Sequence, residues 1–191
     1  MQEKKTAKGS LPFLHKIGGC VRRHTSTYYE LLSAVIMALV IFSFILTFLF
    51  RQVTVLGDSM MDTLFDGDRL LVSTVFYDEP QRGDVVIVRR YVEEPIIKRV
   101  IGVAGDTVYI DPHTLELYVN DELQTELYVH YPNLTVDMTE PVLVPDGCIF
   151  VMGDHRDNSA DSRDADIGCI DVRDVIGKAI FRLYPQTGFF D

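Results

Sequence analysis

From Leu31 to Phe50 the chain reads LLSAVIMALVIFSFILTFLF, twenty residues without a charge, a glycine or a proline. Only Ser33, Ser43 and Thr47 interrupt it with a polar group. As a helix rising about 1.5 Å per residue, such a run spans about 30 Å, the hydrocarbon thickness of a bilayer. No face of it is polar, so it is ill suited to a soluble core helix, one side of which meets water. A cleavable signal peptide is the competing reading. Its apolar core is about 7–15 residues long and ends in small residues. This run is longer, begins late and continues into Arg51 and Gln52, which predicts a retained transmembrane anchor at residues 31–50.

The charges on either side agree. Residues 1–50 hold Lys4, Lys5, Lys8, Lys16, Arg22 and Arg23 against Glu3 and Glu30, a balance of +4. With a total of −10, the remaining 141 residues carry −14. Cations on the N-terminal side predict that residues 1–30 are a basic cytoplasmic segment and that residues 51–191 lie across the cell membrane, with Tyr28 and Tyr29 at the interface. The basic segment predicts contact with anionic lipid. The acidic remainder disfavours a nucleic-acid partner. Three cysteines are too few for a disulfide scaffold, although Cys148 and Cys169 share the exported side and either pair or stay as buried thiols.

Beyond the anchor the period changes. Short runs rich in Val, Ile and Tyr predict strands at Arg69–Val75, Asp84–Arg90, Ile96–Val103, Thr107–Ile110, Leu115–Val119, Cys148–Met152 and Val175–Arg182. Turn signals such as Asp66-Gly67-Asp68 and Pro145-Asp146-Gly147 separate them. Asp78–Gln81 and Tyr128–Pro141 read as loops, and residues 1–16 as a disordered charged tail. The expected architecture is one mainly β domain on one N-terminal helix.

Three polar stretches carry the chemistry. Gly57-Asp58-Ser59-Met60-Met61-Asp62-Thr63-Leu64 offers a serine that becomes a nucleophile if a base lies near; alone it is a turn residue. In Ile96-Ile97-Lys98-Arg99-Val100, Lys98 stands within an apolar run, where desolvation lowers an amine pKa and frees it to accept a proton. The alternative is a lysine or arginine that snorkels from an edge strand. Gly153-Asp154-His155-Arg156-Asp157-Asn158-Ser159-Ala160-Asp161-Ser162-Arg163 follows a hydrophobic run and mixes acids, arginines and hydroxyls, as a hydrogen-bonded brace does and as a solvated loop also can. The aspartates of residues 154–174 lack the spacing of a calcium loop, so no metal and no cofactor are expected.

Taken together, these stretches resemble the type I (leader) signal peptidases, membrane-bound Ser-Lys proteases. Gly57–Leu64 resembles their nucleophile box, commonly Ser-Met-x-Pro-Thr-Leu. Gly67–Val72, Arg82–Val86 and Lys98–Asp106 are similar to the boxes that follow. Gly153–Arg163 resembles the last, usually Gly-Asp-Asn-Arg-Asp-Asn-Ser-x-Asp-Ser-Arg. The boxes occur in order across residues 20–185, and the single anchor resembles the short Gram-positive-like form.

The resemblance implies a coiled antiparallel β-sheet fold (signal peptidase/LexA-like) at residues 51–191. It implies a serine endopeptidase that removes signal peptides from secretory pre-proteins at Ala-x-Ala-like sites through an acyl-enzyme. Ser59 would be the nucleophile and Lys98 the general base. Ser159 would orient the lysine amine, Met60 would shape the substrate pocket, and Asp161 with Arg163 would form a supporting ion pair. Asp154 and Arg99 would belong to the surrounding structure. Gly57 stands where some relatives carry a hydroxyl that helps hold the oxyanion. Asp62 replaces the usual Pro, and His155 the usual Asn. The latter raises a rival Ser59–His155–Asp154 triad, while Asp62 raises the alternative of a catalytically impaired anchored peptide-binding domain. A Ser-Lys repressor-type autoprotease would need a DNA-binding domain, for which residues 1–30 are too short. Ser59 lies eight residues past Arg51, within about 28 Å of the membrane exit even for a fully extended chain.

Overall fold

The computed structural model describes residues 13–75, 77, 79–90, 94–129, 138 and 140–189, with side chains described from residue 27 onward. Most of the predicted loop at Tyr128–Pro141 lies outside those residues, as does the predicted disordered tail except residues 13–16, which are helical instead because they begin the long helix that leads into the apolar run. The chain divides into two units, Met1–Thr47 and Phe48–Asp191.

The first unit is helical. Helix α1 runs Phe13–Leu49, and its Thr27–Leu49 portion is long and apolar enough to cross a membrane, with mean hydropathy 2.7 and none of its residues buried. The helix stops one residue short of the predicted anchor, because Phe50 already pairs with Ser73 in a β ladder.

The second unit is mainly β. Its larger sheet contains β1 (Phe50–Thr54), β2 (Arg69–Ser73), β3 (Val85–Val88), β4 (Ile96–Val103), β9 (Cys148–Met152), β10 (Ile170–Asp171), β11 (Val175–Tyr184) and β12 (Gly188–Phe189). Their order is β1-β2-β11-β3-β4-β9-β10, with β12 on β11, and every pairing is antiparallel. A smaller sheet holds β5 (Thr107–Ile110), β6 (Leu117–Val119), β7 (Glu122–Leu123) and β8 (Val142–Leu143) in the order β7-β6-β5-β8. All seven predicted strands are present, Ile96–Val103, Thr107–Ile110 and Cys148–Met152 with the predicted ends and the other four with shifted ones.

Burial on both faces explains why β3 reads Val-Val-Ile-Val without alternation. Val85 and Ile87 join one cluster with Met60, Leu64, Leu70, Val72 and Ile97. Val86 and Val88 join another with Val100, Ile149 and Val151. A third cluster links the small sheet, through Val108, Ile110 and Leu117, to Ile101, Phe150 and Met152. Between Val100 and Gly102 the register of β4 on β9 shifts, a bulge that re-aims side chains just past Lys98 and Arg99. Cys148 and Cys169 are both free thiols, half-buried against the third cluster. Burial, with the neighbouring Cys148, raises the Cys169 pKa.

Candidate active site

Ser59 sits in a loop that closes on itself. Val55 N–H donates to Asp68 O at 2.8 Å and Gly67 N–H to Val55 O at 3.0 Å, pinning its two ends together. Gly57 takes φ +83°, where a side chain would be strained, and its N–H donates to Asp66 Oδ1 at 2.8 Å. Met60 and Leu64 are buried in the core below, which anchors the loop from within.

Lys98 arrives from the other direction, on β4, paired with Val86 of β3. Both faces of β4 are covered, so Lys98 and Arg99 point to opposite sides and each is still only 3% exposed. The Lys98 amine donates to Ser59 Oγ at 2.7 Å. Burial pushes that amine down to about 8; Asp161 works against the shift and Arg163 adds to it. A lysine with this pKa is largely neutral in mildly alkaline solution, and its lone pair can then accept the proton of the hydroxyl it touches.

The third polar stretch braces the meeting point. Arg99 donates to Asp154 twice, Nε to Oδ1 at 2.9 Å and Nη2 to Oδ2 at 2.6 Å. The Thr63 hydroxyl donates to the same Oδ2 at 2.5 Å. Asp154 therefore ties the strand of Lys98 to the loop of Ser59, and its own side chain is fully buried. Asp161 pairs with Arg163 through Nε at 2.8 Å and Nη2 at 2.9 Å, as expected, and also accepts from Gly153 N–H at 2.9 Å. Burial works upward on the Asp161 carboxyl, but Arg163, the Gly153 N–H and the Ser159 hydroxyl hold it below the usual range.

One sequence expectation changes, and the rival triad is not found. Ser159 donates its hydroxyl to Asp161 Oδ2 at 2.7 Å, and Lys98 Nζ is bonded to Ser59 instead. A carboxylate two residues away is a closer and stronger acceptor than an amine on another strand. The Ser59–His155–Asp154 triad does not form either. His155 faces the Asp58 carbonyl at 3.1 Å and Asp157 at 3.0 Å, and Asp154 is committed to Arg99 and Thr63. What His155 does supply is a backbone N–H to Ser59 O at 3.1 Å.

Gly153 fits where no other residue would. A Cβ there would lie 2.2 Å from Ser159 Oγ and 2.4 Å from Ser59 O. Beside Ser59 opens a cleft of about 800 Å³ whose walls include Val55, Leu56, Met60, Ile96 and Ile97. Ser59, Glu94 and Pro95 complete the lining, so the cleft is mixed, with an aliphatic part that suits small aliphatic side chains. Thr63, Glu126, Tyr128 and Arg156 also hold the site together; Thr63 lay in a quoted motif without a role, and the other contacts join segments with no spacing signal between them.

Comparison with known proteins places the chain in a family. The family model described as signal peptidase, peptidase S26, matches residues 28–184. Signal peptidase I of Bacillus amyloliquefaciens is 38% identical over 176 residues, covering 86% of this chain and 90% of its own length. Signal peptidase IB of Staphylococcus aureus (strain COL) is 33% identical over 179 residues, covering 84% of this chain and 91% of its own. A crystal structure of a signal peptidase I from Enterococcus faecalis V583 is similar at 29% identity and a TM-score of 0.44, over 52% of this chain and 96% of that one.

Proposed function

The chain belongs to the signal peptidase (peptidase S26) family and is a hydrolase of signal-peptide processing; from that premise we propose that it works through a Ser59–Lys98 dyad. Neutral Lys98 takes the proton of Ser59 as Oγ attacks the scissile carbonyl. The tetrahedral oxyanion is held by backbone N–H groups, chiefly that of Ser59, since Gly57 offers no hydroxyl. Collapse releases the mature protein's new amino terminus, protonated by the lysine, and leaves the signal peptide as an ester on Ser59. Lys98 then deprotonates the water that hydrolyses this acyl-enzyme.

One observation carries the reading: a 3% exposed lysine amine 2.7 Å from a serine hydroxyl at the mouth of a partly aliphatic cleft. The aliphatic residues beside Ser59, Val55, Met60 and Ile97 among them, support small apolar residues before the cut, as in Ala-x-Ala. An anchor at residues 31–50 with residues 1–30 cytoplasmic and residues 51–191 outside the cell membrane would put the dyad on the side where pre-proteins emerge. Asp161, Arg163, Asp154 and Arg99 support the dyad, Met60 shapes the cleft, and Ser159 acts through Asp161.

The test is cleavage of a pre-protein with an Ala-x-Ala site by the full-length protein in detergent. Ser59→Ala and Lys98→Ala should each abolish turnover while His155→Ala retains it. Normal cleavage by Lys98→Ala would sink the dyad.

A further inference from the structure

The small sheet reaches the site through one turn. After β7, Gln124 N–H donates to Leu117 O at 2.9 Å, and Val129 N–H closes a turn on Glu126 O at 3.2 Å. From this turn two side chains enter the polar network. Glu126 accepts both terminal nitrogens of Arg156, each at 2.5 Å, with side chains only 11% and 5% exposed. Tyr128 donates its hydroxyl to Glu126 Oε1 at 2.7 Å, and its ring lies 3.9 Å beneath the Arg99 guanidinium carbon.

Each arginine leads to one half of the dyad. Arg156 Nε donates to Gly153 O at 3.1 Å, and Gly153 lies so near the serine that a Cβ on it would meet Ser59 O. Arg99 follows Lys98 on β4 and grips Asp154, which holds Thr63 of the serine loop. A bidentate carboxylate fixes the plane of a guanidinium, and an aromatic face fixes another from below. The turn therefore sets the orientation of both arginines at once.

We propose that Glu126 and Tyr128 are positioning residues for the peptidase reaction: by fixing Arg156 and Arg99 together, they hold the Ser59 loop and the Lys98 strand in register. This rests on the Ser59–Lys98 reading. It explains why a largely buried glutamate in the turn after β7 stands thirty residues from its arginine, in the loop after β9. Loosening the turn would let water reach Lys98, whose low pKa comes first from burial, so the amine would drift back toward the ordinary lysine value.

The experiment measures kcat, KM and the pH profile of pre-protein cleavage by the full-length protein in detergent, together with thermal unfolding. The variants are Glu126→Gln, Glu126→Asp, Tyr128→Phe and Tyr128→Leu. Expected for Glu126→Gln is a kcat about tenfold lower with KM nearly unchanged, an acidic limb moved to higher pH, and partial recovery in Glu126→Asp. Tyr128→Leu should show the same pattern, and Tyr128→Phe, which keeps the ring, a smaller one. A wild-type acidic limb in Glu126→Gln and Tyr128→Leu would overturn the proposal, whether kcat holds or falls only in step with lost folded protein. Should Glu126→Gln fail to fold, the Tyr128 pair decides by the same criterion. Ser59→Ala and Lys98→Ala run alongside: if either cleaves, the dyad itself is wrong, whereas inactive dyad variants beside an unmoved Glu126→Gln condemn only the positioning role.

Discussion

Ser59 and Lys98 meet at 2.7 Å, yet the segments that bring them there are built by different means. Lys98 sits in a ladder, with β3 pairing Val85–Val88 against Ile96–Arg99 and β9 pairing from Arg99 onward. Its position follows from backbone hydrogen bonds and from apolar packing on both faces. Between Leu56 and Gly67 there is no ladder. That loop is located by its own closure, by Met60 and Leu64 below it, and by polar contacts from distant residues: Asp154 to Thr63, His155 to Ser59 and Asp58, and Arg182 to the Thr63 carbonyl. The lysine is thus tuned by burial, which many residues share, and the serine is aimed by a handful of hydrogen bonds, each of which matters individually.

That contrast can be broken at its joint. Asp154→Ala leaves Arg99 buried without its carboxylate and frees Thr63, so it should lower the unfolding free energy by about 3–5 kcal/mol, read by denaturant titration of the full-length protein. A loss below about 1 kcal/mol would mean that the ladder and the loop hold without it. Gly153→Ala attacks the serine side alone. The added methyl has nowhere to go between Ser159 and Ser59, and a displacement of about 1 Å should lower kcat about a hundredfold. Wild-type kcat in this variant would show that the loop yields more easily than its contacts suggest.

The lysine side should answer to pH instead. In the proposed dyad its amine acts only when neutral, so kcat/KM should rise about tenfold per pH unit below about 8 and level off above it. Stability should carry the same signature. The folded-state pKa lies below the ordinary 10.5, so the unfolded chain binds more protons between those values and the folded form gains as pH climbs through that window. Lys98→Met should therefore be more stable than wild type at pH 7, with the gain fading between pH 8 and 10.5; a flat difference across that range would contradict burial as the cause. The smallest effect belongs to a single strand of the loop's tether: Thr63→Val should destabilise by about 1 kcal/mol and lower kcat several-fold, measured by melting and by turnover.

The same contrast decides what a reader of the sequence can see. Strands β2, β3, β4, β5, β6, β9 and β11 announce themselves because apolar runs between turn signals reflect local geometry. The two-residue strands β7, β8, β10 and β12 leave too short a pattern, and β1 hides because Phe50 and Arg51 look like the end of the anchor. Ser59, Lys98, Arg99, Asp154, Asp161 and Arg163 were legible through family-like boxes, each a local string. The partner of Ser159 was not, since an isolated hydroxyl gives no hint whether a carboxylate or an amine will reach it first. Glu126 and Tyr128 were illegible for a deeper reason: nothing in a polar turn after β7 says that two buried arginines, one on β4 and one in the loop after β9, wait beside it.

Asp154 reaches back 91 residues to Thr63 and 55 residues to Arg99. Contacts of such separation close large loops and cannot nucleate early, so they form only as the last structural elements dock. During synthesis Ser59 and Lys98 both exist long before Gly153–Arg163 do. A nascent chain therefore holds Ser59 and Lys98 without the aspartate that ties their segments together. The long reach of one aspartate means that the joint between the two segments is completed only by a part of the chain distant from both.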